Sequence, residues 1–393
     1  MAVTLARAPI IMKTDCQVIS RRSVLISAVA AVASCRRKRG DGYNGYAFVA
    51  NEEGHAVAAV DLTAFAVARH IALDGAPTAV IAHPSKAFVY ALTPRSGMLC
   101  EIDGNSLTVS RKLHLGGPVS VMKSEPGGEA LWILSGPGRR LLRVPVDEFK
   151  VTSAFTLPLE PSDFDLSNYT KLAAVSFGNS GTVSLVSLSS GTVGKPLQLS
   201  GRLGTIRFRK DGEAVLVANT AARQLSVLTA PKAETSGLRT QAIVHLPLTV
   251  RPDYFCFHPD GGQLFITGEG RDAVAVVYPY YVPEVAETVL AGSQPGAMAA
   301  TDKYLFVTNP GAGDVSILDI TRRRVMAVAA VGAGPGSVTV TPDGEYALVL
   351  NQTSGDMAVI RIAGLQPDRR KSAALFTMIP VGSKPVSAVV KGI

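Results

Sequence analysis

The sequence predicts an all-β fold, a β-propeller of eight four-stranded blades, and three observations predict it. Short apolar strands open at Tyr46, Phe88, Ala130, Leu172 and Ala214, each 42 residues after the last, and Leu264, Tyr304 and Tyr346 continue the series at spacings of 50, 40 and 42. No helical stretch separates them. The breaks between runs are made of turn formers, proline fixing φ and glycine accepting positive φ. A period near 40 residues built from short β-runs corresponds to one blade per repeat. Seven blades is the alternative, since repeats three to six share the least wording with the others.

The chain opens on a segment that does not belong to that pattern. Ser20-Arg21-Arg22-Ser23-Val24-Leu25, followed by the apolar run Ser27 to Ala33, has the form of a twin-arginine export signal. Val32-Ala33-Ser34-Cys35 resembles the lipobox at which bacterial lipoproteins are cleaved and acylated. Residues 1–34 are therefore expected to be a signal peptide, Cys35 the lipidated cysteine, 35–44 a basic tether and 45–393 the propeller. A spanning helix is the competing reading, but a bilayer needs about 20 apolar residues, and Arg22 and Arg36 bracket a shorter run.

The formal charge of +8 invites a nucleic-acid partner until its location is read. Residues 1–39 hold Arg7, Lys13, Arg21, Arg22, Arg36, Arg37, Lys38 and Arg39 against Asp15 alone, which is +7 and leaves +1 for the rest. No nucleic-acid partner is expected. Arg36 to Arg39 instead read as a juxtamembrane patch, worth about 1 kcal/mol per charge at an anionic lipid surface.

Within a repeat the seventh is clearest: Tyr304 to Asn309 is a strand, Gly313-Asp314 a turn, Val315 to Asp319 a strand and Val325 to Val331 another. Gly332-Ala-Gly-Pro335 turns the chain, Ser337 to Thr341 is the strand that begins the next sheet, and Pro342-Asp343-Gly344 is a tight turn. Similar phrases recur at Gly116-Gly-Pro118, Gly292-Ser-Gln-Pro295, Gly382-Ser-Lys-Pro385, Asp211-Gly212 and Pro259-Asp-Gly261. The C-terminal stretch Ile379 to Val390 lacks the strand that should follow it, and the N-terminus begins with that strand at Tyr46. Pairing of the two would close the ring and leave no inner edge open.

The phrases Val49-Ala-Asn51, Val217-Ala-Asn219, Val307-Thr-Asn309 and Ile379-Pro-Val-Gly382 resemble the YVTN family of β-propeller repeats, found in surface-layer and related envelope proteins. The resemblance covers residues 45–393. It implies fold and envelope context, and no activity, because the shared residues are turn formers and strand core.

Cys16 lies in the leader, and Cys100 and Cys256 fall in blades too far apart for the roughly 7 Å Cα limit of a disulfide. They are expected to be buried thiols. There is no Cys-x-x-Cys-His haem attachment sequence and no zinc spacing, so no metal and no cofactor is expected.

Connections from second to third strand share a face with those leading into the next blade, and this face is the default ligand mouth. Its turns carry Glu52, Glu53 and His55, then Arg95, then Arg139 and Arg140, then Asn179 and Ser180, then Arg223, then Arg271 with Asp272, then Asp314 and Asp356. Arginine gathers in blades two, three, five and six, so an anion is expected there. The bland reading is that turns simply tolerate charge. Inner strands add Asp163/Asp165, Arg207/Arg209 and Asp253, of which the first two pairs, from neighbouring blades, are read as an interblade ion-pair cluster near the channel, with a catalytic carboxylate pair as the sharper alternative. Among the six histidines His55 alone is placed at the mouth, while His83 and His258 precede prolines in turns on the opposite face. The Tyr278-Pro-Tyr-Tyr-Val-Pro283 stretch also lies on that opposite face, as a packed edge or a protein anchor. No Gly-x-Ser-x-Gly elbow, metalloprotease helix or phosphate loop appears.

Two functional expectations follow. The first is a monomeric, lipid-anchored binding or scaffold module of the cell envelope, taking an envelope protein, a glycan or a small anionic ligand. The second is an enzymatic or cofactor-binding propeller, because eight-bladed propellers with similar wording resemble the haem d1 domain of nitrite reductases, and lactonases use related folds. There His55 and the arginines would hold a carboxylate-rich group.

Overall fold

Eight antiparallel four-stranded sheets surround a central channel in the computed structural model, which describes residues 42–233, 237–365 and 374–392. The leader, the lipobox and Cys35 lie outside the described residues. The second strands of the eight sheets are Gly45–Asn51, Phe88–Thr93, Ala130–Ser135, Leu172–Phe177, Ala214–Asn219, Leu264–Thr267, Tyr304–Asn309 and Tyr346–Asn351, so eight blades form where the repeat places them. Their inner neighbours, Ala79–Ala82, Val121–Ser124, Asp163–Leu166, Leu203–Phe208, Tyr254–Phe257, Met298–Ala300 and Pro335–Val340, line the channel in blades two to eight.

Blade one takes its inner strand from the far end of the chain. Pro385–Gly392 pairs antiparallel with Gly45–Asn51, from Gly45 opposite Gly392 to Asn51 opposite Pro385. The closing strand also packs sideways. Val386 and Val389 join the core between blades one and two, and Ala388 and Val390 the core between blades eight and one. Second strands are buried on both faces, because each sheet is covered by a neighbour on either side. That explains their unbroken apolar runs, whereas outer strands such as Thr108–His114 alternate between half-buried and exposed positions.

The recurring phrases meet in space. Asn51, Asn309 and Asn351 end second strands and are buried, and each lies under the glycine that leads into its own blade's inner strand. A Cβ on Gly382, Gly292 or Gly332 would come within 2.9, 2.3 and 2.6 Å of those amide nitrogens. The asparagine at a second strand's end and the glycine before an inner strand are thus two halves of one contact.

Lys391 of the closing strand donates from Nζ to the His83 carbonyl (2.8 Å) in the first turn of blade two. The His83 ring holds that turn: its Nδ1 accepts from the backbone N–H of Ser85 (3.1 Å) and Lys86 (2.9 Å), which requires the neutral ring. Burial first, then the Lys86 and Lys391 charges, lowers the His83 pKa from its ordinary value. The folded state therefore binds fewer protons than the unfolded chain below about pH 6.5, the free histidine value. The contribution is complete above that pH and is lost as pH falls through the depressed value. His83→Asn, whose amide oxygen can replace Nδ1 as acceptor, is expected to lose less melting temperature than the native protein between about pH 7 and pH 5. Equal losses in both would show that His83 does not titrate the fold.

Cys100 is buried and Cys256 half-buried, and both are free. Burial raises both thiols, that of Cys256 to about 12, so neither is a poised nucleophile.

Candidate functional site

The mouth is built from eight equivalent turns between second and third strands. In each, a backbone carbonyl accepts the N–H of the residue that follows the outer strand: His55 from Leu73 (2.8 Å), Gly97 from Leu115 (2.8 Å), Arg139 from Leu157 (2.8 Å) and Arg223 from Leu248 (2.8 Å). Gly181, Asp272, Gly313 and Gly355 complete the ring of carbonyls. In seven of the eight the residue takes a left-handed backbone, Asp272 of blade six being the exception. Glycine fills it in blades two, four, seven and eight, whereas His55, Arg139 and Arg223 take it at φ of 49°, 45° and 50°. A bulky residue there costs roughly 1–2 kcal/mol relative to its right-handed form, and such outliers cluster at functional sites.

The predicted arginines all reach this face. Arg95, Arg139, Arg223 and Arg271 are exposed and Arg140 is half-buried. Among the described residues none of the five forms an ion pair with a carboxylate, although Arg111, Arg143, Arg207, Arg209, Arg251, Arg322 and Arg323 all do. The mouth acids behave differently. Glu52 pairs with Lys384 at 2.8 Å and Glu53 lies 3.8 Å from the same ammonium. Asp314 accepts from Asn309 Nδ2 (2.7 Å), Asp356 from Asn351 Nδ2 (2.6 Å), and Asp272 from the Gln294 N–H (2.8 Å). The acidic arc is thus engaged by the fold, while the basic arc is left facing solvent.

Connections into the inner strands supply three further cations that the turn-by-turn reading missed. Arg251 is neutralised by Asp253 (2.7 Å) and Glu269, and Lys384 by Glu52. Arg202, exposed beside the blade-five inner strand, extends the unpaired arc. The signal was available, since these connections share the mouth face with the turns.

The channel cluster forms in part as expected. Asp163 Oδ2 accepts from Arg207 Nη1 (2.7 Å) and from the Ile206 N–H (3.1 Å), and Asp165 Oδ2 accepts from the Phe208 N–H (2.9 Å). The two carboxylates of blade four thereby cap the free edge of the blade-five inner strand. Lys123 of blade three completes the group, 3.5 Å from Asp165, its pKa lowered chiefly by burial and then by Arg207. Arg209 departs from the expectation. It lies one residue past its strand, where the chain turns, and binds Asp211 (2.7 Å) while its guanidinium sits 4.6 Å above the Tyr280 ring. Each carboxylate of the pair is bonded to its own donors, an arrangement that stabilises a junction rather than sharing one proton.

His55 is exposed in a mouth turn, and His114 ends the outer strand of blade two on the same face, its Nδ1 accepting from the Gly116 N–H (3.1 Å). His83 and His258 cap turns on the opposite face, and His245 Nδ1 meets Ser226 Oγ at 2.8 Å on an outer strand. No group of three histidine, cysteine or acidic residues is set to hold a metal among the described residues. Four cavities of about 460 to 620 Å³ lie between neighbouring blades or on the opposite face, away from the candidate arginines.

No protein-family model matches the sequence. A search of curated proteins finds no similar sequence either. Solved structures do match. Dihydro-haem d1 dehydrogenase NirN, in complex with DHE, superposes with a TM-score of 0.72 at 15% identity over 90% of this chain and 76% of that one. AztD of Citrobacter koseri gives 0.67 at 14% identity, over 90% of this chain and all of the other. A streptogramin B lyase gives 0.53 at 13%, over 70% and 89% of the two chains. At these identities the likeness is one of fold, and proteins so differently named do not fix a shared chemistry.

Proposed function

We propose that the protein is an exported, lipid-anchored binding propeller of the cell envelope, a non-enzymatic member of the YVTN type, whose mouth captures a small ligand bearing carboxylate or phosphate groups. Arg95, Arg139, Arg140, Arg223 and Arg271 would supply paired hydrogen bonds to the anion, with His55 in the blade next to that of Arg95. The observation that carries this reading is the contrast between arginines without carboxylate partners, two of them in a left-handed position that glycine fills in four other blades, and acids already engaged. A haem d1-type cofactor has less support: His55 is the one histidine in a mouth turn, exposed on its rim, and the ring of His114, at the mouth end of an outer strand, is engaged by the Gly116 N–H.

The test separates binding from folding. Arg139→Gly with Arg223→Gly removes two guanidinium groups and relieves two left-handed positions, so the variant is expected to melt no lower than the native protein. Titration calorimetry with citrate and with inorganic phosphate is expected to show binding to the native chain. It should weaken about a hundredfold in the variant, since a hydrogen bond to a charged group contributes about 1.5–3 kcal/mol. Equal affinities, or no binding of either anion by the native chain, would remove the arginine arc from the function.

A further inference from the structure

We propose that the face opposite the mouth rests on the bilayer, with Tyr281 and Val282 inserted at headgroup depth, so that the mouth points away from the membrane. The inference rests on the anchor at Cys35 proposed above.

The entry point of the chain sets the geometry. Gly45–Asn51 ends at the mouth, so Gly45 begins it at the opposite face, and Tyr43 is already packed there against the core between blades eight and one. From Cys35 to Tyr43 the chain advances eight residues, at most about 29 Å when fully extended. A membrane on the mouth side would require a path around the third and outer strands, about 10 Å, and then up the seven-residue height of the sheet, about 23 Å. The tether is too short for that path, the route through the channel would take up its whole extension, and the tether carries Arg36 to Arg39, which suit anionic headgroups.

The same face carries an aromatic tip of unusual construction. The turn after the third strand of blade six runs Tyr278-Pro279-Tyr280-Tyr281-Val282-Pro283. Its base is pinned twice: Arg209 Nη1 donates to the Pro279 carbonyl (2.9 Å) beneath the Tyr280 ring, and Arg323 Nη2 donates to Tyr278 Oη (2.7 Å). The tip is fully exposed at Tyr281 and 80% exposed at Val282, and Tyr281 is held at φ 56°. The corresponding turns of blades one, two and three also hold a left-handed residue, but Phe65, Leu107 and Phe149 pack their side chains into the fold, whereas Tyr281 presents its ring to solvent. Tyr169, 69% exposed, stands on the same face in blade four, its ring against the Asp211-Gly212 turn that Arg209 joins to Tyr280. Tyrosine is the residue that favours the water–lipid interface, apolar ring inward and hydroxyl in the headgroups. A lipid chain and a second surface contact together give the two signals that stable peripheral binding needs.

The full-length lipidated protein reconstituted in vesicles of phosphatidylethanolamine and phosphatidylglycerol with brominated acyl chains provides the test. Trp132, the single tryptophan, is buried and serves as an internal reference. Tyr281→Trp is expected to add emission that is blue-shifted and quenched by the brominated lipid. Ala312→Trp, in a mouth turn, is expected to add emission that is neither. Flotation of the native protein but not of Cys35→Ser reports the anchor separately. Flotation with residue 281 unquenched, or with residue 312 quenched, overturns the orientation and leaves the anchor standing. Failure of the native protein to float overturns the anchor and this inference together. Flotation with residue 281 unquenched but cross-linked to an envelope protein assigns the tip to a protein partner and equally overturns the proposal.

Discussion

Removal of residues 385–393 is expected to abolish the single cooperative unfolding transition of the propeller. That segment is the whole inner strand of blade one, and it carries the C-terminal part of the chain back along the first blade. Without it the channel-side edge of Gly45–Asn51 loses every ladder partner from Gly45 to Asn51. The damage is not confined to one sheet, because Val386 and Val389 leave one interblade core and Ala388 and Val390 the other. Each of these half-buried valines contributes part of the about 1.5–3 kcal/mol of a fully buried one, and each ladder hydrogen bond about 0.5–1.5 kcal/mol. Their sum approaches the about 5–15 kcal/mol by which a domain is stable. A ring also has no spare boundary: blades one and two and blades eight and one would each present an apolar face to water. Circular dichroism melting of the truncated chain beside the full one checks this, and a truncated protein that keeps the native melting temperature would refute closure through both termini.

The parts of the molecule legible in the sequence are those where one physical demand acts on one position in every blade. Second strands are covered on both sides, so apolar runs from Phe88, Ala130 or Tyr346 could not be mistaken for amphipathic edges. The parity of turns then placed Arg95, Arg139, Arg223 and Arg271 on one face without any contact being known. Illegible parts depend on where the chain leaves the pleat or on partners from distant blades. Alternation put Arg207 and Arg209 on one face, but Leu203–Phe208 ends before Arg209, and the turn redirects it to Asp211. The engagement of Glu52 by Lys384 joins opposite ends of the chain and could follow only from closure. Lys123 could have been found. It precedes Asp165 by one period of 42, and positions one period apart on inner strands stand side by side around a channel.

Asp163→Ala is expected to cost about 2–3 kcal/mol, the largest single-residue effect anticipated outside the apolar cores. Its carboxylate accepts two donors from blade five at once, the Ile206 N–H and the Arg207 guanidinium. Removing it leaves a backbone N–H on a strand edge with no acceptor and a guanidinium, 29% exposed, whose charge is felt by Lys123 two blades away. Breaking a fully buried pair costs about 3–5 kcal/mol, and the solvent access of Arg207 places this site below that range. The same loss should not arise from Lys232→Ala, whose partner Glu213 and whose own side chain are both largely in water, where ion pairs are worth about 0–1 kcal/mol. A double-mutant cycle with Arg207→Met apportions the effect. If the pair acts together, Asp163→Ala in the Arg207→Met background loses less than in the native protein, by about 1 kcal/mol or more in denaturant midpoints converted with a common slope. The remainder belongs to the Ile206 N–H, which no change at position 207 can satisfy. An Asp163→Ala midpoint equal to the native one would mean that blades four and five are held by their apolar core alone, and that the carboxylates of the inner strand are free for work in the channel.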